Sequence, residues 1–362
     1  MRREIIYFFV RFTGRTIKSI MSRIKGTAAA IGMMTLSISS FAQRIDSTLK
    51  TKPDSLNFQK KVVAVIADKF AIARPLNIEY IYTAPYNYKS QKGESILPNG
   101  RVTNFQQVKV SANINFIKRK TWMLGTTLGY RYSSTEADIA RSGTTNINVN
   151  DDFHYLFSSL NLTYFSSLFK KRMIYSSSVL VDGSDQHFER IKGIFTGTMV
   201  LKATQNTKMT AGILINIDAS AQSPFIPTFS YEHKFTNGLI ADIVLPRSLY
   251  LRRFISQTGR LSLGTELDRT SFYLYNLDGT SQKYEYRQLD INSGLNYEQV
   301  IGKYFMLTAK SGIKLTPSGR IFKKEESYAD PVYQTSPDPA FYFNMGISFN
   351  PFSVFGKKQR KD

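Results

Sequence analysis

The chain has 362 residues, 42% hydrophobic and 13% aromatic, with 48 Lys and Arg against 27 Asp and Glu (net +21) and no cysteine. Without cysteine there is no disulfide framework, thiolate nucleophile, cysteine zinc site or lipid-anchored cysteine. A composition this apolar and aromatic also excludes a disordered chain.

From Met21 the sequence reads as a signal peptide: Arg23 and Lys25, an uncharged stretch from Gly26 to Ser39, then Ser40-Phe41-Ala42 with small residues placed for cleavage before Gln43. Residues 1–20 are then a long basic lead or the product of a start upstream of Met21. A retained anchor helix is the alternative, but the stretch falls short of the roughly 20 apolar residues that spanning needs. Removing 1–42 takes away seven basic residues and one acidic, leaving 41 against 26, or +15. Export argues against nucleic acid as the partner of that charge and points to turns and a tail beside a membrane surface. Residues 43–75, with Pro53 and the run Val62 to Ile66, are either a periplasmic lead-in with one helix or a plug.

Beyond this point the chain alternates. Val108, Val110, Ala112, Ile114 and Phe116 are interleaved with Lys109, Ser111, Asn113 and Asn115, which is strand periodicity with one apolar face. After the basic turn Lys118-Arg119-Lys120, Trp122, Leu124, Leu128, Tyr130 and Tyr132 alternate with Gly125, Thr127, Gly129 and Arg131. The pattern recurs around Met209 to Asp218, Leu289 to Tyr297 and Phe305 to Leu315. Strands are predicted at 77–87, 103–117, 121–133, 153–166, 172–182, 190–203, 207–218, 225–235, 238–245, 248–256, 260–277, 282–299, 303–316 and 339–350. That makes fourteen, or twelve if the two around Pro246 are one bent feature.

Strands of ten or more residues, small polar residues on the second face and aromatics near the strand ends favour a transmembrane antiparallel up-and-down β-barrel over a soluble sandwich, whose strands average about five or six residues. No 18-residue apolar run follows the signal, which excludes a helical membrane bundle. Short connections alternate with long ones at 88–102, 134–152 and 317–338, as in barrels with short periplasmic turns and long outer loops. The predicted domains are thus 1–42, 43–75, a barrel over 76–350, and a basic tail over 351–362.

The signal peptide, the hairpins and the closing segment Phe341-Tyr342-Phe343-Asn344-Met345-Gly346-Ile347-Ser348-Phe349 resemble a Gram-negative outer-membrane β-barrel. Residues 75–350, including Arg74-Pro75-Leu76-Asn77-Ile78-Glu79-Tyr80 and Trp122-Met123-Leu124-Gly125, are similar to an exported barrel family known only as a domain of unknown function. The resemblance implies fold and outer-membrane localisation and transfers no catalytic residue. It also implies membrane lipid and the barrel-assembly machinery as partners, with Phe341, Phe343 and Phe349 as the assembly signal. The tail after Asn350 departs from barrels that end on an aromatic residue and brings Phe352 and Phe355 in as further candidates.

Little points to a reaction. The three histidines, His154, His187 and His233, lack a nucleophile pattern, and Walker, GxGxxG and HExxH motifs are absent. Asp185, His187 and Glu189 have a spacing that could hold a divalent cation, with a solvated loop as the plainer reading. No cofactor, metal or enzymatic activity is predicted. The polar strand phase places Lys109, Arg131, Lys192, Lys202, Lys310 and Lys314 inward as a basic wall, and Asp218, Asp242, Glu266, Asp268 and Asp290 inward as an acidic wall opposite. Glu232, Lys234, Arg252 and Glu298 mix the pattern. Opposed walls would set up a transverse field across a water-filled lumen; alternatively the charges pair and fill a narrow barrel. The predicted function is a channel or transporter for small solutes, with a non-conducting structural or interaction barrel as the alternative.

Overall fold

A computed structural model describes residues 55–141, 144–218, 220–277 and 279–352. The expected signal peptide, the first part of the lead-in and nearly all of the basic tail lie outside the described residues. Helix α1 (Ser55–Lys69) and a 3-10 turn (Ala71–Ala73) precede β1 (Leu76–Thr83), β2 (Tyr86–Lys92), β3 (Ser95–Ile96), β4 (Gly100–Lys118), β5 (Trp122–Arg141) and β6 (Thr144–Leu168). These are followed by β7 (Lys171–Gly183), β8 (Phe188–Ala203), β9 (Thr207–Ile217), β10 (Phe225–Lys234), β11 (Leu239–Leu245) and β12 (Ser248–Phe254). The chain then forms β13 (Gly259–Tyr275), β14 (Lys283–Ile301), β15 (Phe305–Lys323), β16 (Tyr333–Pro337) and β17 (Ala340–Phe349).

Residues 55–275 and 283–352 form one compact unit, and the loop 276–282 is not part of it. That loop turns on positive φ at Asn276 and Gly279, with the Gly279 amide donating to the Asn276 carbonyl.

The barrel closes where β1 pairs antiparallel with β4 on one side and β17 on the other, Leu76 standing opposite both Ala112 and Phe349. Of the seventeen strands among the described residues, β2 and β3 continue and flank β1 above the ring and β16 precedes β17, leaving fourteen that form the wall. The strands around Pro246 are separate, so the predicted alternative of twelve is not what forms.

The three long loops predicted at 88–102, 134–152 and 317–338 are largely strand. β2 and β4 pair at Asn87↔Arg101, β5 and β6 pair as far as Arg141↔Thr144, and β15 and β16 pair at Arg320↔Gln334. In the second of them Ile147 and Val149 alternate with Asn146, Asn148 and Asn150, a period of two too short to stand out from a loop in the sequence.

The wall inverts the polarity of a soluble protein. Leu76, Ile78 and Tyr80 of β1, Leu261 and Leu263 of β13, Ile313 and Leu315 of β15, and Phe341, Met345 and Ile347 of β17 are exposed, while Asn77, Ser262, Lys314, Asn344 and Ser348 on the other phase are buried. So broad an apolar surface is matched by hydrocarbon, where closing the ring lets neighbouring strands satisfy one another's backbone groups.

One sector breaks the cylinder. Gly264, Gly294 and Gly312 stand side by side on β13, β14 and β15, with Tyr250 and Tyr342 in register at the ends of the row. A Cβ on Gly294 would lie 2.1 Å from the Ser311 carbonyl oxygen, and one on Gly312 2.0 Å from that of Ser293. Such a row permits sharp curvature, and just above it β13 and β14 leave the wall and roll into the lumen. Phe272 of β13 stacks on Phe153 of β6 at 4.0 Å between centroids, and β6 is diametrically opposite in the ring. Gly294→Val is therefore expected to destabilise the barrel by about 1–3 kcal/mol, seen as a lower temperature for loss of the compact form in heat-modifiability gels.

Candidate functional site

The interior has three tiers, taken from the short-turn end to the long-loop end. At the short-turn mouth sits α1. Its residues Ala64 and Ala67 are small and buried, allowing close approach, and Lys69 in the last turn suits the negative end of the helix. Gln59 Nε2 donates to the carbonyls of Arg119 and Lys120, both at 2.8 Å, and Phe58 meets Phe165 edge-on beneath the Arg172 guanidinium.

Across the mouth, Lys69 Nζ reaches Asp242 at 2.7 Å and Glu232 at 2.9 Å. The chain leaving the helix is then held by Arg74, which donates to Ala67 O at 3.0 Å, Ser348 Oγ at 3.0 Å and Glu298 Oε1 at 2.8 Å. The other Glu298 oxygen takes Arg260, whose guanidinium also donates to Asp68 O. Arg252 completes the cluster against Asp242 at 3.0 Å.

The middle tier contains most of the charges placed inward from the sequence. Lys109 Nζ lies 2.5 Å from Asp268, and Lys310 Nζ 2.5 Å from Glu266. Lys314 bonds Thr83 at 3.0 Å, stands 3.9 Å from Asp290 and lies over the Phe105 ring. Arg131 donates to the Arg269 carbonyl on β13. Glu79, absent from the predicted walls, accepts from Asn77 at 2.7 Å and Asn344 at 2.8 Å. Its place between outward Ile78 and Tyr80 is the signal that marks it as inward.

The third tier joins the in-rolled strands to β6–β9. Asp182, fully buried, accepts from Tyr155 at 2.6 Å, Tyr273 at 2.9 Å and Lys192 at 2.7 Å. Arg190 bridges Asp218 at 3.1 Å and Glu285 at 3.7 Å and also donates to the Lys324 carbonyl. Arg287 binds Glu285 and the carbonyl and hydroxyl of Ser220. Burial raises the carboxyl of Asp218, in the loop after β9, but the Ser220 amide and hydroxyl with Lys192 and Arg190 outweigh it and hold it below the usual carboxylate range.

This geometry revises the two-wall arrangement. Basic and acidic residues are not held apart across the lumen; they interdigitate as ion pairs, because the in-rolled sector carries Asp268 and Glu266 to the lysines. Lys202 is not an inward residue. A register shift between Val200 and Lys202 sets it opposite Met209, in phase with exposed Ile217, and leaves it exposed on the outer face. Asp242 belongs to the helix cluster at the mouth, and Asp218 to the third tier.

The candidate cation group does not converge. Glu189 is buried against Lys283 at 2.9 Å and Lys324 at 3.0 Å, while Asp185 and His187 are exposed. Among the described residues no group of three or more His, Cys, Asp or Glu could hold a metal. His154 meets Tyr130 OH at 2.9 Å, and His233 meets Thr207 Oγ1 at 2.8 Å between the rings of Tyr231 and Phe235. Phe341 is exposed on the outer face, Phe343 shares its phase, and Phe349 packs on Tyr304 and Phe305 at the short-turn rim.

The family described as a domain of unknown function (DUF6268) matches residues 64–350. The chain belongs to this family. The match takes in the last six residues of α1 and every wall strand. No curated protein is similar enough to match the chain. Among solved structures, it is similar to an outer membrane channel from Pseudomonas putida, at 8% identity and TM-score 0.31, covering 84% of this chain and 99% of that one. It is similar to a FadL homologue of Pseudomonas aeruginosa at 6% identity and TM-score 0.31, covering 80% and 94%. It is also similar to the transport unit of the autotransporter AIDA-I from Escherichia coli, at 9% identity and TM-score 0.25, covering 89% and 98%. At these values the likeness carries no argument, and the fold rests on the closure of the chain's own strands.

Proposed function

We propose that the protein is an integral outer-membrane channel for small solutes, exported by its signal peptide and held shut in the conformation described above. The observation that carries this reading is that the central ion pairs keep contact with solvent. Lys109 and Asp268 retain 17% and 28% of their side-chain surface, and Lys310 and Glu266 13% and 22%. Groups this deep inside a lipid-facing shell meet solvent only where the lumen admits it. Helix α1 at one end and in-rolled β13–β14 at the other supply the obstructions. In this reading the short turns and α1 face the periplasm and the tall β5–β6 hairpin faces outward. Membrane lipid and the barrel-assembly machinery are the partners, the latter reading Phe341, Phe343 and Phe349.

A non-conducting structural or interaction barrel is the second reading, favoured by the buried charge network of Asp182, Arg190, Glu285 and Arg287, which is costly to pull apart. Conductance in planar bilayers separates the two. In a protein opened by Glu298→Ala, Lys310→Ala with Lys314→Ala removes two lumen cations and is expected to move the reversal potential in a salt gradient toward cation selectivity. An unchanged potential would take both lysines out of the path.

A further inference from the structure

The short-turn end of the barrel carries charge of one sign. Its turns, residues 118–121, 168–171, 203–207, 234–239, 254–259 and 301–305, contain seven Lys and Arg and no acidic residue. The long-loop end mixes both signs and exposes Asp152, Asp185, Asp330 and Asp338. An anionic surface is therefore best matched at the short-turn end.

Two of these turns stand side by side beneath an apolar groove. Trp122 of β5 and Tyr164 of β6 are cross-strand partners, and with Leu162 they line a groove on the lipid face just above the turns. The Phe165 amide donates to Thr121 O at 2.7 Å, which ties the β4–β5 turn to β6 just before the β6–β7 turn. Trp and Tyr at this level mark the edge of the hydrocarbon. Arg119, Lys120, Lys170 and Lys171, all exposed, then fall at head-group depth. Lys171 reaches Leu201 O at 3.1 Å, while Arg119, Lys120 and Lys170 have no ion-pair partner among the described residues. Their neighbours are engaged elsewhere, Lys118 over the Phe352 ring and Arg172 over the Phe58 ring.

The β6–β7 turn has a shape that water alone does not explain. Phe169 and Lys170 have φ of 50° and 58°. These are the two left-handed positions of a tight hairpin turn, which Asn-Gly fills without strain and a phenylalanine does not. Phe169 is nonetheless 81% exposed, beside exposed Leu168. A turn that only reverses the chain in water gains nothing from a strained, solvated ring. One seated at a membrane surface does, because the ring enters the apolar side of the interface while Lys170 stays with the phosphates.

We infer that this corner of the barrel is a binding site for an anionic phospholipid of the adjoining leaflet. An acyl chain lies along Trp122, Leu162 and Tyr164, the phosphate is held by Arg119, Lys120 and Lys170, and Phe169 is wedged beside it. A cluster of cations without an acid among them selects a head group of net negative charge over a zwitterionic one, whose ammonium it repels. The inference rests on the reading that the barrel lies in a membrane; it does not require conduction.

Trp122 is the chain's single tryptophan, so its fluorescence reports this groove alone. The test is quenching of that fluorescence in the full protein, reconstituted in vesicles of mixed phosphatidylcholine and phosphatidylglycerol with bromine on the acyl chains of one lipid or the other. Brominated phosphatidylglycerol is expected to bind beside Trp122 about tenfold more strongly than brominated phosphatidylcholine at low salt, the order that several cations at a membrane surface supply. The preference should shrink in high salt. Phe169→Asn with Lys170→Gly, which installs the unstrained turn, combined with Lys120→Gln should bring it close to parity. Lys234→Gln with Lys303→Gln, at turns elsewhere on the ring, should leave it unchanged. Equal quenching by the two lipids in the unaltered protein, or an equal loss of preference in the Lys234 and Lys303 variant, would overturn the inference while the membrane reading stands. Quenching by neither lipid would overturn both.

Discussion

Glu298→Ala is expected to unseat α1 from the mouth of the barrel. Glu298 holds two guanidiniums, Arg74 and Arg260, each nearly buried, and these in turn hold the backbone of Ala67 and Asp68. Removing one partner of a buried charge pair costs about 3–5 kcal/mol, because the remaining charges stay desolvated. Arg260 is fixed on β13, but Arg74 lies on the connection to the helix. The least costly relief is release of that segment into water, leaving the barrel intact. The chain contains no cysteine, so Ala67→Cys, at a site 1% exposed, provides a single reporter. In the otherwise unaltered protein it should react with a maleimide only on opening. With Glu298→Ala the rate should rise by at least about a hundredfold, the equivalent of 3 kcal/mol of opening free energy. Glu298→Gln, which keeps hydrogen-bonding oxygen and shape, should fall between. Unchanged labelling in a folded, heat-modifiable barrel would mean that the latch does not hold the helix.

Asp182→Ala should release the opposite obstruction. Its carboxylate ties Tyr273 of the in-rolled sector to Tyr155 and Lys192 of the far wall. Losing it strands two hydroxyls and an ammonium, at about 1–3 kcal/mol for each buried group left without a partner. Lys192 also lies 4.0 Å from Asp218, so part of that cost is recovered. Tyr273→Phe, which removes one hydrogen bond, should cost about 1 kcal/mol and serves as the graded control. The reporter is Thr270→Cys, at a position with no exposure, whose labelling should accelerate strongly in Asp182→Ala and weakly in Tyr273→Phe. Equal rates in all three would show that the sector is held by its aromatic stacking on Phe153 instead.

The wall of this barrel is legible in the sequence because a strand with one face in lipid must alternate, and Ile78, Leu263, Ile313 and Met345 do so without ambiguity. The interior is less legible. Parity assigns a residue to a face but not to a partner, so Lys109 and Asp268 read as opposite walls when they are an ion pair. A one-residue bulge turns Lys202 outward, and nothing in its neighbourhood marks the bulge. The in-rolled sector does leave a trace: Arg269, Ser271, Glu285 and Arg287 put polar side chains on the phase that is apolar lower on the same strands. Reading those strands as plain staves passes over that reversal, and with it Asp182 and Arg190. The clasp of Arg74 by Glu298 joins residues more than two hundred positions apart, a distance that no local pattern spans.

Whether α1 closes a solvent-holding lumen is decided by single-channel recording of the unaltered protein beside Glu298→Ala in the same bilayers. A largely silent parent is expected, with discrete, repeated current steps from the variant. Silence from a Glu298→Ala barrel in which the Ala67→Cys reporter shows the helix released would contradict a lumen that α1 holds shut.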